Sequence, residues 1–335
     1  MTPPEDPREA RRADFLAAAG WGGVEAVPLA GDASARRYFR LQRADGARAV
    51  LMEAEAGEEV SRFLRVGRFL RDAGLSAPEV VASDAPNGLL LLEDFGDALV
   101  ARIAEAEPER EAGLYAVAAE ALAALHRHAP PADWPRATPA MLSRAIAPLF
   151  EHYAPETPPE TRAATEEALA QALEGLDAPT AVPILRDFHA ENLIWLPERA
   201  GSARAGLLDY QDAMAGHVAY DLASLLRDAR RDVSPAAAEA AITAFLRESG
   251  RNRATLTAAM ALLGVQRNLR ILGVFARLAA HGKPRYLALM PRVWRHLEAD
   301  LAHPAAAPVA RALGEALPAP DPARLDRLRR RCPTP

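Results

Sequence analysis

The residues best suited to chemistry are three polar side chains in the second half of the chain. Asp187 and Asn192 occur in the segment DFHAEN, and Asp209 follows in GLLDYQD. Phosphoryl transfer needs a carboxylate that orients the attacking hydroxyl group and accepts its proton, and further oxygen ligands that hold Mg²⁺ on the phosphates. Turn-capping aspartate and asparagine residues show the same D-x-x-x-x-N spacing, so the spacing alone leaves both interpretations open.

The segments around these residues have β character inside an otherwise helical part of the chain. AVPILRD, NLIWL and AGLLDY predict short strands, and the polar turn PERAGSAR separates the last two. Asp187 and Asn192 would lie on a loop after one strand, and Asp209 on the loop after a hairpin. The three side chains can then converge at one edge, and this order of elements favours a functional site over unrelated turns.

The rest of the chain is predicted to have a sheet-forming first part and a helical second part. In the first part we expect a helix over 8–19, strands over 24–29, 37–42 and 47–54, a helix from about 60 to 74, and strands over 79–83 and 89–92. In the second part we expect helices around 114–125, 140–153 and 160–175, and further helices beyond 220 with a break at 281–284. The predicted fold class is α+β.

Composition excludes several classes of protein. The chain has 335 residues and a formal net charge of −5, which argues against a general nucleic-acid binder. The N-terminus lacks the apolar core of a signal peptide, and no run of residues is apolar enough for a membrane span. The single cysteine, Cys332, allows no intramolecular disulfide bond. We therefore expect a cytoplasmic protein with no membrane, nucleic-acid or obligatory protein partner.

Long motifs in this sequence resemble one known superfamily. LRDFHAEN resembles the catalytic loop of the aminoglycoside phosphotransferase and choline kinase superfamily, and LLDYQDAMAGHVAYDLASLLRD resembles its metal-binding segment. GDASARRYFRL, RAVLMEA and LLLLEDFGD resemble its phosphate-covering turn, third strand and adenine-binding hinge. Within the superfamily, the motifs are most similar to those of bacterial kinases that phosphorylate the anomeric hydroxyl group of N-acetylmuramate and N-acetylglucosamine in cell-wall recycling.

The resemblance implies a bilobal protein-kinase-like fold that uses ATP and Mg²⁺. Residues 1–95 would form a nucleotide-binding N-lobe with a five-stranded antiparallel sheet and one helix, and residues 96–335 a helical C-lobe with the catalytic loop, metal site and sugar-binding helices. It also implies a base, Asp187, two metal ligands, Asn192 and Asp209, and an aspartate that pins the catalytic loop through its backbone, Asp221. Nucleotide contacts are expected from Gly31, Ser34, Arg36, Arg37 and Glu93, and substrate contacts from His189, Asp212, Gln266, Arg267 and Arg270. For His189 a hydrogen bond that stabilises the loop is the alternative, and for Asp212 the alternative is a cap of the following turn.

One departure from the pattern concerns the third strand. Kinases of this fold usually carry a lysine there that grips the nucleotide phosphates. Here the strand reads AVLMEA, with Met52 or Glu53 near that position, and the only lysine of the chain is Lys283. Either arginine and backbone donors bind ATP, or the chain is not a kinase. Arg36 and Arg37 are the first candidates, and exposed strand residues are the alternative interpretation.

A stretch without acidic residues bears on the substrate. Between Glu248 and Glu298 the chain has nine basic and no acidic residues. Such a surface disfavours a cationic aminoglycoside and favours a carboxylate-bearing sugar, although a solvated helix face explains most of these arginines. Phe275, Tyr286 and Trp294 could stack on a sugar ring or belong to the core. The alternatives are a kinase for another alcohol, such as an aminoglycoside or a choline-like compound, and a non-catalytic nucleotide-binding pseudokinase.

Overall fold

The computed structural model describes residues 7–29, 36–176, 181–314 and 316–332. The chain divides into two compact units, and each unit is described by itself. The first unit comprises residues up to 100 together with 192–212, and the second comprises 101–191 and 213–335. The described residues contain no helix that is both long and apolar enough to cross a membrane.

The first unit is built on an antiparallel sheet of five strands. Its elements in the first hundred residues are α1 (Pro7–Ala18), β1 (Ala26–Pro28), β2 (Arg37–Gln42), β3 (Arg48–Glu53), α2 (Glu58–Asp72), β4 (Val80–Asp84) and β5 (Leu89–Glu93). The strand order is β1-β2-β3-β5-β4, so β5 lies between β3 and β4. The four consecutive leucines of β5 are all buried, as expected for a strand covered on both faces.

Alternation of side chains along the strands explains how this sheet is covered. Leu41, Leu51 and Leu91 belong to one apolar cluster that also contains Phe15 of α1. Met52, the next residue along β3, faces the opposite side and is also fully buried. The register is seen in the pairs Leu51–Leu91 and Met52–Leu90, which put apolar residues of β3 and β5 opposite each other on both faces.

After β5 the chain enters the second unit and later returns to the first. The second unit contributes α3 (Val100–Ala106), α4 (Glu111–Leu125), α5 (Pro139–Arg144), α6 (Pro159–Glu174) and β6 (Val182–Ile184). The chain then returns to the first unit with the antiparallel hairpin of β7 (Leu193–Trp195) and β8 (Ala205–Leu207). This hairpin was predicted from the sequence and is confirmed.

The remaining residues complete the helical second unit. Its elements are β9 (Met214–Gly216), α7 (Tyr220–Leu226), α8 (Pro235–Ser249), α9 (Arg253–Ala280), α10 (Met290–Leu301), α11 (Ala307–Leu313) and α12 (Pro322–Arg329). Strand β9 pairs antiparallel with β6, and α9 is the longest helix among the described residues. The α+β class with a five-stranded antiparallel sheet and a mainly helical second part is confirmed.

One predicted helix needs correction, and two elements were not predicted. The helix expected over 140–153 is interrupted: α5 ends at Arg144, and a π-helical turn spans Leu149–Tyr153. A Cβ atom at Gly273 of α9 would lie 2.2 Å from the backbone nitrogen of Leu149, so the chain passes too close to α9 to continue as a regular helix. Strand β9 and helix α3 were missed because both are short, and β9 is defined only by its pairing with β6.

Candidate active site

The loop that carries Asp187 follows β6 and is held by a buried carboxylate. Asp221, in the first turn of α7, accepts hydrogen bonds from the backbone N–H groups of Leu185 at 2.5 Å and Arg186 at 2.8 Å. Its side chain is completely buried. The sequence-based expectation that Asp221 holds this loop through the backbone is therefore borne out by the geometry.

The residue before Asp187 has an uncommon backbone conformation. Arg186 has a φ angle of 73°, in the left-handed region that usually favours glycine. Its carbonyl oxygen accepts hydrogen bonds from Arg267 Nη1 at 3.0 Å and from Ser224 Oγ at 3.2 Å. Arg267 Nη2 also donates to Ser224 Oγ at 2.6 Å. The strained residue is thus held at both its nitrogen and its oxygen, as such conformations require.

Electrostatics distinguish Asp221 from an ordinary surface aspartate. Burial raises the pKa of Asp221 to about 6, although the N–H groups of Leu185 and Arg186 act in the opposite direction. A charged carboxylate with no water around it is costly unless it is well hydrogen-bonded. Two backbone donors and the nearby guanidinium of Arg267 supply that compensation.

The loop that carries Asp209 follows the β7–β8 hairpin in the first unit. The backbone nitrogen of Leu208 donates to the carbonyl oxygen of Asn192 at 2.9 Å, which places the backbones of the two predicted metal ligands side by side. Asp209 has a φ angle of 56°, and its side chain is 38% exposed. Gln211 Nε2 donates to Asp209 Oδ1 at 3.1 Å.

The donor set at this loop is compatible with magnesium. The carboxylate of Asp209 and the side-chain amide oxygen of Asn192 are hard oxygen ligands, and Mg²⁺ is commonly bound by one or two protein carboxylates together with water and substrate phosphates. The described residues contain no group of three or more His, Cys, Asp or Glu side chains that could enclose a metal ion.

Arg36 connects this loop to helix α2. Its guanidinium contacts Asp209 Oδ1 at 2.7 Å, Gln211 Oε1 at 2.7 Å and Glu59 Oε1 at 3.1 Å. The Arg36 side chain is only 7% exposed, whereas Glu59 is 41% exposed. A cation thus lies between the predicted metal ligand and a glutamate of the helix that follows the third strand.

Helix α2 packs closely on the residues that follow Asp209. The rings of Phe63 and Tyr210 are 4.9 Å apart, and a Cβ atom at Gly67 would lie 2.6 Å from the Tyr210 hydroxyl oxygen. Arg62 Nη1 lies 3.6 Å from Asp212 Oδ1. Asp212, expected to contact substrate, is thus half-exposed and paired with a cation of α2.

The third strand has no basic residue at the position of the usual lysine. Met52 is fully buried, and Glu53 accepts from Arg37 Nη2 at 2.6 Å and lies 3.3 Å from Arg12 Nη1. Arg37 therefore pairs across the sheet with the residue that stands near the lysine position. Gly31 and Ser34, the other residues expected at the phosphate turn, lie outside the described residues.

Two further predicted residues occupy polar environments. Glu93, at the end of β5, accepts from the backbone nitrogen of Glu79 at 3.2 Å and pairs with Arg199. His189 is buried, and its Nε2 atom lies 3.2 Å from Arg230 Nη1. Burial, and after it the charge of Arg230, holds the pKa of His189 well below its usual value. His189 is therefore a neutral imidazole at physiological pH.

The three polar residues predicted on one face of α9 have different environments. Arg267 is bound to the loop before Asp187, as described above. Gln266 is fully buried and donates from Nε2 to the carbonyl oxygen of Leu142 at 2.9 Å. Burial lowers the pKa of Arg270 from its usual value. Phe275 and Tyr286 are buried, with ring centroids 5.1 Å apart, which supports the core interpretation of these aromatic residues.

Sequence reasoning missed three residues that support the site. Ser224 lies three residues after Asp221 on α7, so helical spacing could have placed both on one face. Gln211 lies two residues after Asp209 and offers no pattern of its own. Glu59 is one of two glutamates in the first turn of α2, and only the folded structure shows that it contacts Arg36.

The fold and the loops define a class of protein. A five-stranded antiparallel sheet with one helix after its third strand, followed by a helical unit with an aspartate loop, is a protein-kinase-like arrangement. A solved structure of a choline/ethanolamine kinase family protein from Mesorhizobium loti shares this fold, with a TM-score of 0.65 and 17% identity over 91% of this chain and 98% of that one. An ADP-bound aminoglycoside phosphotransferase also matches, with a TM-score of 0.58 and 15% identity over 88% and 97% of the two chains.

Sequence comparison identifies the family. The model of the phosphotransferase enzyme family matches residues 25–263, and the chain belongs to that family. A protein of Caulobacter vibrioides named N-acetylmuramate/N-acetylglucosamine kinase is 39% identical, over 90% of this chain and 94% of its own length. Proteins of Pseudomonas aeruginosa, Pseudomonas putida and Neisseria meningitidis with the same name are 30–32% identical.

Proposed function

We propose that this protein transfers the γ-phosphoryl group of ATP to the anomeric hydroxyl group of N-acetylmuramate and N-acetylglucosamine in the recycling of cell-wall sugars. The observation that carries the proposal is the 39% identity over 90% of the chain to the Caulobacter vibrioides kinase of that name. The anomeric position rests on the resemblance of the motifs to those of kinases that phosphorylate this hydroxyl group.

In this proposal Asp187 is the catalytic residue that orients the sugar hydroxyl group and accepts its proton. Asp221, Ser224 and Arg267 are positioning residues, because they hold the backbone of the residue before Asp187. Asn192 and Asp209 would hold Mg²⁺, which when bound neutralises charge on the phosphates. Residues 1–95 would bind the nucleotide, with Glu93 at the adenine hinge and Gly31 and Ser34 at the phosphates, and residues 96–335 would bind the sugar.

We assign the role of the missing lysine to Arg36. In kinases of this fold the third-strand lysine grips the phosphates and pairs with a glutamate of the next helix. Arg36 contacts Glu59 of that helix and Asp209 at the same time. Its three guanidinium nitrogens contact Glu59, Asp209 and Gln211, so phosphate oxygens would bind in exchange for one or more of these partners. Arg37 is the alternative, although its guanidinium is bound to Glu53.

The charge of one segment in the second unit also supports a negatively charged substrate. The segment between Glu248 and Glu298 contains no acidic residue, which disfavours aminoglycosides and choline-like cations. N-acetylmuramate carries a carboxylate. We also place the activity in the cytoplasm, where ATP is available, and require no protein partner for it.

Sugar-dependent release of ADP tests the proposal. The wild-type protein should release ADP with either amino sugar, whereas Asp187→Asn and Asp209→Ala should reduce the rate at least 1000-fold, roughly the size of the effects seen when a catalytic group is removed. Full activity in either variant would contradict the assignment. Nucleotide binding without ADP release from any sugar would instead indicate a pseudokinase.

Arg36 and Arg37 can be compared directly. Arg36→Met should raise the KM for ATP about 10- to 100-fold, because charged hydrogen bonds of this type contribute about 1.5–3 kcal/mol, and Arg36→Lys should restore part of the loss. Arg68→Met is the control, since Arg68 is 81% exposed and pairs with Asp72 on the same helix. A larger effect from Arg37→Met would move the phosphate-binding role to Arg37.

A further inference from the structure

A small cavity in the second unit adjoins the residue before Asp187. Arg186 lines it, together with Gln266 and Arg270 of α9. The rest of the lining is mostly apolar and includes Met141, Ala145 and Met214. Polar and apolar groups thus share the lining of one small space beside the predicted catalytic loop.

One hydrogen-bond acceptor in this cavity has no partner. The Oε1 atom of Gln266 is buried and accepts no hydrogen bond in the described part of the chain, although its Nε2 atom is bound to Leu142. The side chain is 0% exposed. An unpaired buried acceptor costs about 1–3 kcal/mol, and such atoms in native structures commonly mark the place of a ligand or a water molecule.

A hydrogen-bond donor lies one helical turn further along α9. Arg270 forms no ion pair or hydrogen bond with any residue that the structure describes, and it is largely buried. Gln266 and Arg270 are four residues apart, so both side chains lie on one face of the helix. The cavity therefore offers one acceptor, one set of donors and an apolar wall.

We propose that this cavity binds the 2-acetamido group of the sugar, which deepens and rests on the proposed function. An acetamido group has one N–H donor, one carbonyl acceptor and one methyl group. Gln266 Oε1 accepts the N–H, Arg270 donates to the carbonyl oxygen, and Met141, Ala145 and Met214 surround the methyl group. The three parts of the ligand match the three parts of the cavity.

The location of the cavity agrees with this assignment. The acetamido group is attached to the carbon next to the anomeric carbon, so its binding site must adjoin the catalytic aspartate. Arg186 of the cavity directly precedes Asp187 in the chain, and the charge of Asp187 acts on Arg270. A group attached further from the reacting hydroxyl, such as the lactyl carboxylate, has no such requirement.

The test compares N-acetylglucosamine with glucose, which lacks the acetamido group. Wild-type kcat/KM should favour N-acetylglucosamine by at least about 100-fold. Gln266→Met keeps the size of the side chain but removes the acceptor, and it should lower kcat/KM for N-acetylglucosamine about 10- to 100-fold more than kcat/KM for glucose. Gln171→Met on the exposed face of α6 is the matched control and should change neither value.

A second variant guards against misfolding of the first. Ala145→Leu fills the cavity from its apolar wall and should lower activity on N-acetylglucosamine more than on glucose. Equal loss with both sugars in both folded variants would overturn the assignment and leave the proposed kinase activity standing. Arg270→Met should weaken N-acetylglucosamine and N-acetylmuramate alike, and a loss confined to N-acetylmuramate would assign Arg270 to the lactyl carboxylate instead.

Calorimetric titration of N-acetylglucosamine without ATP separates this inference from the kinase proposal. Binding to the wild-type protein that Gln266→Met abolishes would support the cavity even if no phosphate were transferred. Equal binding to both proteins would overturn the acetamido assignment, whatever the kinase activity. Equal kcat/KM values for glucose and N-acetylglucosamine in the wild-type protein would also overturn the acetamido assignment.

Discussion

The loop of Asp187 and the loop of Asp209 share a backbone conformation but are held by opposite charges. Arg186 and Asp209 are the two non-glycine residues with positive φ in the described part of the chain. The first is held by the carboxylate of Asp221 on its nitrogen, and the second is contacted by the guanidinium of Arg36 on its side chain. Strained backbone commonly marks functional positions, and here both examples lie at or beside predicted functional residues.

We call Asp221 the first anchor and Arg36 the second anchor. The two anchors differ most in their exposure to water. Asp221 is completely buried and accepts from two backbone N–H groups. Arg36 binds two carboxylates that are 38% and 41% exposed, Asp209 and Glu59. The first anchor is a permanent part of the fold. The second is held by carboxylates that water can reach, so we expect its contacts to exchange more readily.

The largest expected effect is a difference in the free energy of unfolding between variants of the two loops. Asp221→Ala leaves two buried N–H groups without an acceptor and should lower the free energy of unfolding by about 3–5 kcal/mol. Asp209→Ala removes a half-exposed carboxylate and should change stability by less than about 1 kcal/mol. Urea unfolding of both variants measures the difference. A large loss in Asp209→Ala would show that the second anchor is also structural.

The second prediction concerns a positioning residue. Arg267→Met removes the side chain that binds the Arg186 carbonyl oxygen and should lower kcat about 10-fold, with little change in the KM for ATP, because the catalytic loop is less well ordered. Arg277→Met on the exposed side of α9 is the control. If Arg267→Met raised only the KM for sugar, Arg267 would be a substrate residue, as the sequence alone suggested.

A third prediction tests the packing of α2 on the Asp209 loop. Gly67→Ala introduces a methyl group 2.6 Å from the Tyr210 hydroxyl oxygen and should destabilise the protein by about 1–2 kcal/mol. Gly113→Ala, in α4, meets no atom within 4 Å and should stabilise it by about 0.5–1 kcal/mol. Thermal unfolding measures both changes. Equal shifts of Tm in the same direction would show that the close approach of α2 carries no cost.

The smallest expected effect is a pH dependence of the first anchor. The pKa of Asp221 is raised to about 6, so the carboxylate gains a proton as the pH falls from 7 to 5, and one oxygen can no longer accept from the loop. We expect kcat to fall in this range, by about 2- to 5-fold. Because the folded state binds this proton more tightly than the unfolded state, Asp221 by itself makes unfolding less favourable at pH 5 than at pH 7.

Activity and stability should therefore respond in opposite directions to protonation of Asp221. The measurement is kcat between pH 5 and 8, with circular dichroism at each pH to show that the protein stays folded. Asp187 and Arg267 also act on Asp221, so Arg267→Met should move the midpoint of the profile to higher pH. A profile that is flat across this range would contradict the proposed role of the carboxylate.

The elements with strong periodicity could be predicted from the sequence, and those decided by close contacts could not. The apolar residues of β5 and the stripe of α2 gave correct elements because burial depends on local spacing. The break after α5 could not be predicted, since it depends on how closely Pro148 and Leu149 pass Gly273. Strand β9 has only three residues and depends on its partner β6.

The candidate site shows the same division. The motifs around Asp187 and Asp209 were visible because their residue types and order are specific to the chemistry. The role of Arg267 could not be predicted from the sequence. An arginine on an arginine-rich helix has the same sequence pattern whether it faces a sugar or a carbonyl oxygen. The contact between Arg36 and Glu59 joins the residue before β2 to the first turn of α2, and no spacing rule connects them.

The use of arginine at position 36 has a consequence for chemical reactivity. A guanidinium stays protonated at every pH a cell reaches and is a poor nucleophile, whereas the amine of a lysine can be acylated. The only lysine side chain that a reagent for amines could acylate in this protein is Lys283. Acetylation of a lysine at the phosphates is therefore closed to this protein as a means of regulation, and an acylating nucleotide analogue would leave Arg36 unmodified.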